Sequence, residues 1–247
     1  MKITVSENAV QLGACAAVLT AEKLNAAIER NGSARLVLST GASQFETIMS
    51  LVKQPIDWSK VEVFHLDEYV DLPITHPASF RKYIKERFGD FVNAKAIYYV
   101  NTEGDIDANI AELAEKLHEA PVDVALIGIG ENAHIAFNDP PADFDNENAY
   151  IVVKLAEKCR NQQLGEGWFA SIDEVPTHAV SMTVKEIMKS KVIISSVPHA
   201  VKAQAIKDTL ENELTPDVPA TMLKQHGEFY LFLDKNSASD VEIEQYL

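Results

Sequence analysis

Residues 122–130 read VDVALIGIG, an apolar run of strand type that ends in two glycines and passes into the polar segment ENAHIAFNDPP, residues 131–141. A strand apolar at successive positions is buried on both faces, which is the pattern of a parallel sheet covered by helices. Outward from it the alternation is regular. RLVLS (35–39), VEVFHL (61–66) and AIYYV (96–100) precede it, and HAVSMTV (178–184), KVIISSV (191–197) and EFYLFL (228–233) follow. Between them, apolar residues at helical spacing mark helices over 6–30, 43–52, 78–88, 105–119, 184–190 and 199–212. Ser6 caps the first, and Asn31-Gly32 stops it. These elements predict an α/β fold: a three-layer, mostly parallel, Rossmann-like sheet with helices on both faces.

The 247 residues contain no internal repeat and no Pro/Gly/Ser-rich linker, so 1–247 reads as a single domain. Thirty-seven acidic side chains against 22 basic ones give a net charge of -15, which repels nucleic acid and anionic membrane surfaces. An anionic small molecule must therefore meet a local cluster of donors. No apolar run reaches the roughly 20 residues of a membrane span, and MKITVSENAV lacks the pattern of a signal peptide. A cytoplasmic location is expected. Cys15 and Cys159 have no CxxC partner and read as incidental thiols. Self-association stays open, because the apolar face of a helix such as 6–30 serves a core and an interface equally well.

In open α/β sheets the ligand lies beyond the carboxyl ends of the strands, so the segments that follow each strand are the places to look. After RLVLS comes Thr40-Gly41-Ala42-Ser43, a Gly-containing turn leading into a helix, suited either to a phosphate or to simple capping. It matches neither a Walker sequence nor GxGxxG. Asp67 and Glu68 follow VEVFHL, and their alternation turns one toward a cleft and the other away. A carboxylate at that tip can serve as a general base, while His65, two positions earlier, reads as packed. His134 stands five residues before Asp139, an acid able to orient its ring. His65, Asp67, His134 and Asp139 lack the tight ligand spacing of a metal motif, so no metal is expected. Arg160 and Lys202 are candidate phosphate partners in an acidic chain. Residues 140–170 read as a lid or a solvated loop.

STGAS, LDEYV with HPASFRKY, and GIGENAHIAFNDPP, in that order, resemble the glucosamine-6-phosphate deaminase family, within the wider group that includes the 6-phosphogluconolactonases. The likeness extends over about residues 30–235, and DEY with HIAFN favours the aminosugar-phosphate branch. The resemblance implies conversion of glucosamine 6-phosphate and water to fructose 6-phosphate and ammonia without a cofactor. By position it implies that Asp67 moves a proton between carbons and that His134 assists ring opening. Asp139 stands for an acid, usually Glu, that pairs with the histidine. Thr40, Gly41 and Ser43, with Ala42 between them, match the phosphate loop, and Lys202 matches its lysine. Glu68 stands beside the base as a further substrate contact. The family commonly reads D-G-H where this chain has Asn132-Ala133-His134, and Asn132 can neither lend charge to the imidazole nor exchange a proton. Arg160 stands in for a phosphate-binding arginine that has no clear match. Galactosamine 6-phosphate is an alternative substrate; a lactonase acting on a 6-phosphosugar lactone and a noncatalytic phosphosugar-binding protein are the alternative functions.

Overall fold

The computed structural model describes residues 1–165 and 167–246. Its strands are β1 (Lys2–Ser6), β2 (Ala34–Leu38), β3 (Val61–His65), β4 (Asp67–Tyr69), β5 (Ala96–Tyr98), β6 (Val124–Leu126), β7 (Tyr150–Lys154), β8 (His178–Met182), β9 (Val192–Val197) and β10 (Phe229–Asp234). Seven of them form one sheet in the order β1-β10-β9-β6-β2-β3-β5, every pairing parallel. The helices are α1 (Ala9–Asn31), α2 (Phe45–Leu51), α3 (Phe80–Ile84), α4 (Ile106–His118), α5 (Glu157–Gly165), α6 (Val184–Ile187) and α7 (Ala203–Glu211).

Alternate residues of the same strand feed opposite cores. Leu36, Leu38, Val63 and Ile194 pack with Leu12, Leu24, Ile48 and Phe88 under α1, α2 and the turn after α3. Val37, Phe64, Ala125 and Ile193 pack with Leu113, Leu117, Ile206 and Leu210 of α4 and α7. Burying a side chain of this kind stabilises by about 1.5–3 kcal/mol, so both faces of the sheet are held by the hydrophobic effect. The expected α/β architecture with helices on both faces is what the chain adopts.

Three elements depart from the sequence reading. Lys2–Ser6 is an edge strand on β10, and the first helix starts after it with Asn8 as its cap, accepting from Gln11 N at 3.0 Å. Ser6 is therefore the end of a strand. KITVS alternates polar and apolar residues, a strand signal that a helix started at Ser6 passes over. HAVSMTV is not part of the main sheet: β8 pairs antiparallel with both β4 and β7 in a second, three-stranded sheet. The segment 140–170 carries β7 and α5, and so is not a solvated loop.

The chain moves outward from β2 through β3 to β5, then returns through α4 to place β6 on the other side of β2. The loops after β2 and β6 diverge at that reversal, and a crevice opens between them at the carboxyl edge. Leu38 pairs with His65 and Leu126 with Ile194, so the ends of β2, β3, β6 and β9 share that edge.

Candidate active site

The crevice is lined by Ser39–Ser43 after β2, Leu66 and Asp67 after β3, 128–131 with His134 and Phe137 after β6, and His199, Val201 and Lys202 after β9. Phe80 and the α5 residues Gln162 and Gln163 complete its wall. Four sequence segments, the first beginning at Ser39 and the last ending at Lys202, thus meet in one place. Asp67, His134, Lys202 and the loop Thr40–Ser43 are brought together; Asn132 and Asp139 stand behind His134.

Asp67 is buried, 6% exposed, and that small exposure faces the crevice. Burial, and then the adjacent charge of Glu68, pushes its carboxyl well above the ordinary carboxylate range. Glu68 points the other way. Its carboxylate, fully buried, accepts from Ser79 Oγ at 2.7 Å, from Arg81 N at 2.9 Å and from Arg81 Nε at 3.2 Å, and also from the amides of Tyr69 and Phe80. This corrects the expectation of a substrate contact: Glu68 ties the end of β3 to the start of α3, and no lone pair is left over for a ligand. His65 is packed, as its place in the strand implies. Its Nε2 accepts from Val100 N at 2.8 Å, which requires a neutral ring, and burial holds its pKa down at about 3.

The turn carrying His134 is tight. Gly130 N donates to His134 O and Ala133 N to Gly130 O, with Ala133 and Ala136 at φ of 61° and 49°. Asn138 pins the turn from below, its amide donating to Ile135 O and Met182 O. The imidazole lies against Gly130, where a Cβ would sit 2.2 Å from Nε2, so only glycine admits the ring. His134 Nδ1 is 3.2 Å from Asp139 Oδ1, within ion-pair range yet out of line for a hydrogen bond. Asp139 is held by Asn132 Nδ2 at 3.1 Å and by Ala156 N at 3.1 Å. Its burial works toward a raised pKa, but the side chains of His134 and Asn132 and the Ala156 amide outweigh it and hold the carboxyl below its usual range. Asn132, which lends no charge, therefore acts on the carboxylate by donating to it.

Gly41 has φ 94°, a conformation open to glycine, and its carbonyl accepts from Tyr83 OH at 3.0 Å. Gln44, buried behind the loop, donates to Ser43 Oγ and Ser196 O. Lys202 lines the same crevice, in a 3-10 turn before α7. Arg160 does not reach it: its guanidinium donates to the carbonyls of Ile172 and Val175, which corrects its assignment as a phosphate partner. The sequence reading also missed Glu131, Gln162, Gln163 and His199. Gln163 accepts from Tyr69 OH at 2.6 Å and Gln162 from Glu131 N at 3.3 Å, so α5 is fastened to the crevice wall. No local pattern marks a glutamine as a wall residue; only the packing of α5 does. Cys159, on the same helix, has its Sγ within 4.8 Å of donor atoms of His134 and Asp139.

The arrangement gathers a buried carboxyl group, an imidazole with its own acid, a lysine and a glycine turn in one crevice. That set suits proton transfer on a small phosphorylated molecule. Residues 7–231 match the family described as glucosamine-6-phosphate isomerases/6-phosphogluconolactonase. The chain is 34% identical over 240 residues to a glucosamine-6-phosphate deaminase of Lactobacillus delbrueckii subsp. bulgaricus, covering 97% of this chain and 99% of that one. It is 33% identical over 254 residues to one from Clostridium botulinum, covering 100% and 99%. Among solved structures, a monomeric glucosamine-6-phosphate deaminase superposes with a TM-score of 0.89 at 28% identity, covering 98% of this chain and 100% of that one. A 6-phosphogluconolactonase of Thermotoga maritima shares the fold, with a TM-score of 0.78 at 18% identity over 95% and 99% of the two chains. The chain belongs to the glucosamine-6-phosphate isomerase/6-phosphogluconolactonase family.

Proposed function

We propose that the crevice isomerises and deaminates an aminohexose 6-phosphate, turning glucosamine 6-phosphate and water into fructose 6-phosphate and ammonia. The observation that carries this is Asp67: a carboxyl group with its pKa raised by burial, in a crevice it shares with an imidazole that has its own acid. His134 moves the proton between the anomeric hydroxyl and the ring oxygen as the sugar opens. Asp67 takes the C2 hydrogen of the open chain as a proton and returns it to C1. The amino group gives up one proton and the aldehyde oxygen gains one, so that C1 becomes a hydroxymethyl group and C2 an imine. Water adds to the imine carbon and ammonia leaves. C2 is oxidised as C1 is reduced, so the electrons balance within the sugar and no redox cofactor is required. Lys202 and the turn Thr40–Ser43 hold the phosphate, and that remote binding energy positions C1 and C2 against Asp67.

The solved glucosamine-6-phosphate deaminase that superposes on the whole chain is described as monomeric, which supports activity in a monomer acting as a single domain. Cys15 and Cys159 are not joined in a disulfide, which suits a cytoplasmic setting. The test is ammonia release from glucosamine 6-phosphate, with galactosamine 6-phosphate in parallel, in the presence of a chelator. Turnover with solvent deuterium entering the product supports the assignment. A folded protein that releases no ammonia from either sugar overturns it.

A further inference from the structure

The imidazole and carboxylate behind the crevice are joined by a thiol. Cys159 is 1% exposed and comes from α5, whereas His134 and Asp139 come from the loop after β6. One donor atom from each of the three lies within 4.8 Å of the others. His134 is more than nine-tenths buried, and its Nδ1 has no hydrogen-bond partner. The donors of a tetrahedral zinc site, at about 2.0–2.3 Å from the metal, stand about 3.3–3.8 Å apart, so closing on an ion takes shifts of about 1 Å. We propose that His134, Asp139 and Cys159 form a site for one thiophilic divalent cation, zinc or cadmium, and that its occupancy switches the enzyme off.

Three features favour a soft cation. A thiolate and a carboxylate neutralise a double charge, the thiol proton leaving to solvent as the metal binds. A thiolate with an imidazole selects zinc or cadmium over magnesium or calcium. Asn132 Nδ2 and Ala156 N already hold the carboxylate, the kind of outer support that orients a ligand. The inhibition follows from the role proposed for His134 and rests on that reading. A metal on Nδ1 ties the ring to α5 and takes the Asp139 carboxylate that accompanies it, so the imidazole is no longer placed to pass a proton at the sugar's ring oxygen. The metal also bridges α5 to the His134 loop, fixing the wall that carries Gln162 and Gln163.

The test uses the full chain stripped with a chelator, with Cys159→Ser and Cys159→Ala beside it, each checked by circular dichroism for a native fold. Cobalt(II) is expected to give a thiolate-to-metal charge-transfer band in the wild type at one ion per chain, absent in both variants. Zinc affinity by calorimetry should fall at least about tenfold in the variants. Zinc should stop ammonia release in the wild type, reversibly with chelator, while each variant, measured against its own zinc-free rate, resists about tenfold more zinc. Equal zinc binding by wild type and variants, or no cobalt band, overturns the site; binding without inhibition overturns the switch. The band needs no turnover, so an inactive protein would refute the proposed reaction and leave the site to be judged separately.

Discussion

Asp67 is costly to the fold and useful to the site for the same reason. Its pKa is raised in the folded chain, first by burial and then by Glu68, so its stabilising contribution is present below the unfolded value near pH 4 and is lost as pH rises through the folded value. Asp67→Asn should therefore melt at a higher temperature than the wild type at pH 7, with the gap closing toward pH 4. The same variant should lose about 10²–10⁴-fold in turnover while still binding a phosphosugar competitor. Retained turnover, or an unchanged melting temperature at pH 7, would remove Asp67 from the role. Because the base must be ionised, kcat/KM should rise with pH along a limb above the ordinary carboxylate range. His65, whose neighbourhood in the sequence is equally suggestive, is a neutral acceptor for Val100 N and does no chemistry.

At the level of elements, the loop after β6 positions His134 by close packing against Gly130. Gly130→Ala places a methyl where the ring lies, so kcat should fall at least tenfold with KM nearly unchanged and the circular dichroism spectrum intact. Helix α5 is held differently. Arg160 donates to the carbonyls of Ile172 and Val175, and Arg160→Ala should lower stability by about 1–3 kcal/mol and expose the 170–176 turn to protease. It should leave KM within about twofold, because the guanidinium does not face the crevice. Lys202→Ala should instead raise KM by at least about tenfold, as expected for loss of a charged hydrogen bond to phosphate. A reversal of those two effects would restore Arg160 as the phosphate partner.

For the whole molecule, a net charge of -15 makes Lys202 a local exception in a field that repels phosphosugars. Added salt should therefore assist substrate capture by screening the bulk charge while weakening the Lys202 contact, leaving KM less salt-sensitive than in a basic enzyme. On the proposed activity of a monomer, sedimentation at assay concentrations should find turnover with a single-chain species. Activity confined to a larger assembly would show that the crevice depends on a second copy.

The sequence by itself determined the layered α/β fold, because apolar strands such as 35–39 and 191–197 alternate with amphipathic helices, and burial on both faces leaves one architecture. It also determined the turn at Gly41, the acid at the end of β3 and the imidazole after β6, since chemistry at strand ends follows from connectivity. The rest depended on which side chains meet. Lys2–Ser6 took its place beside β10, and 178–182 left the main sheet for β4 and β7, through pairings that only the tertiary structure decides. Glu68 and Arg160 looked available until Arg81 and the carbonyls of Ile172 and Val175 took them. Gln162, Gln163 and Cys159 reached the site through the packing of α5. Periodicity records which face of an element is buried, whereas partners distant in the chain are chosen by tertiary distance, which no local pattern encodes.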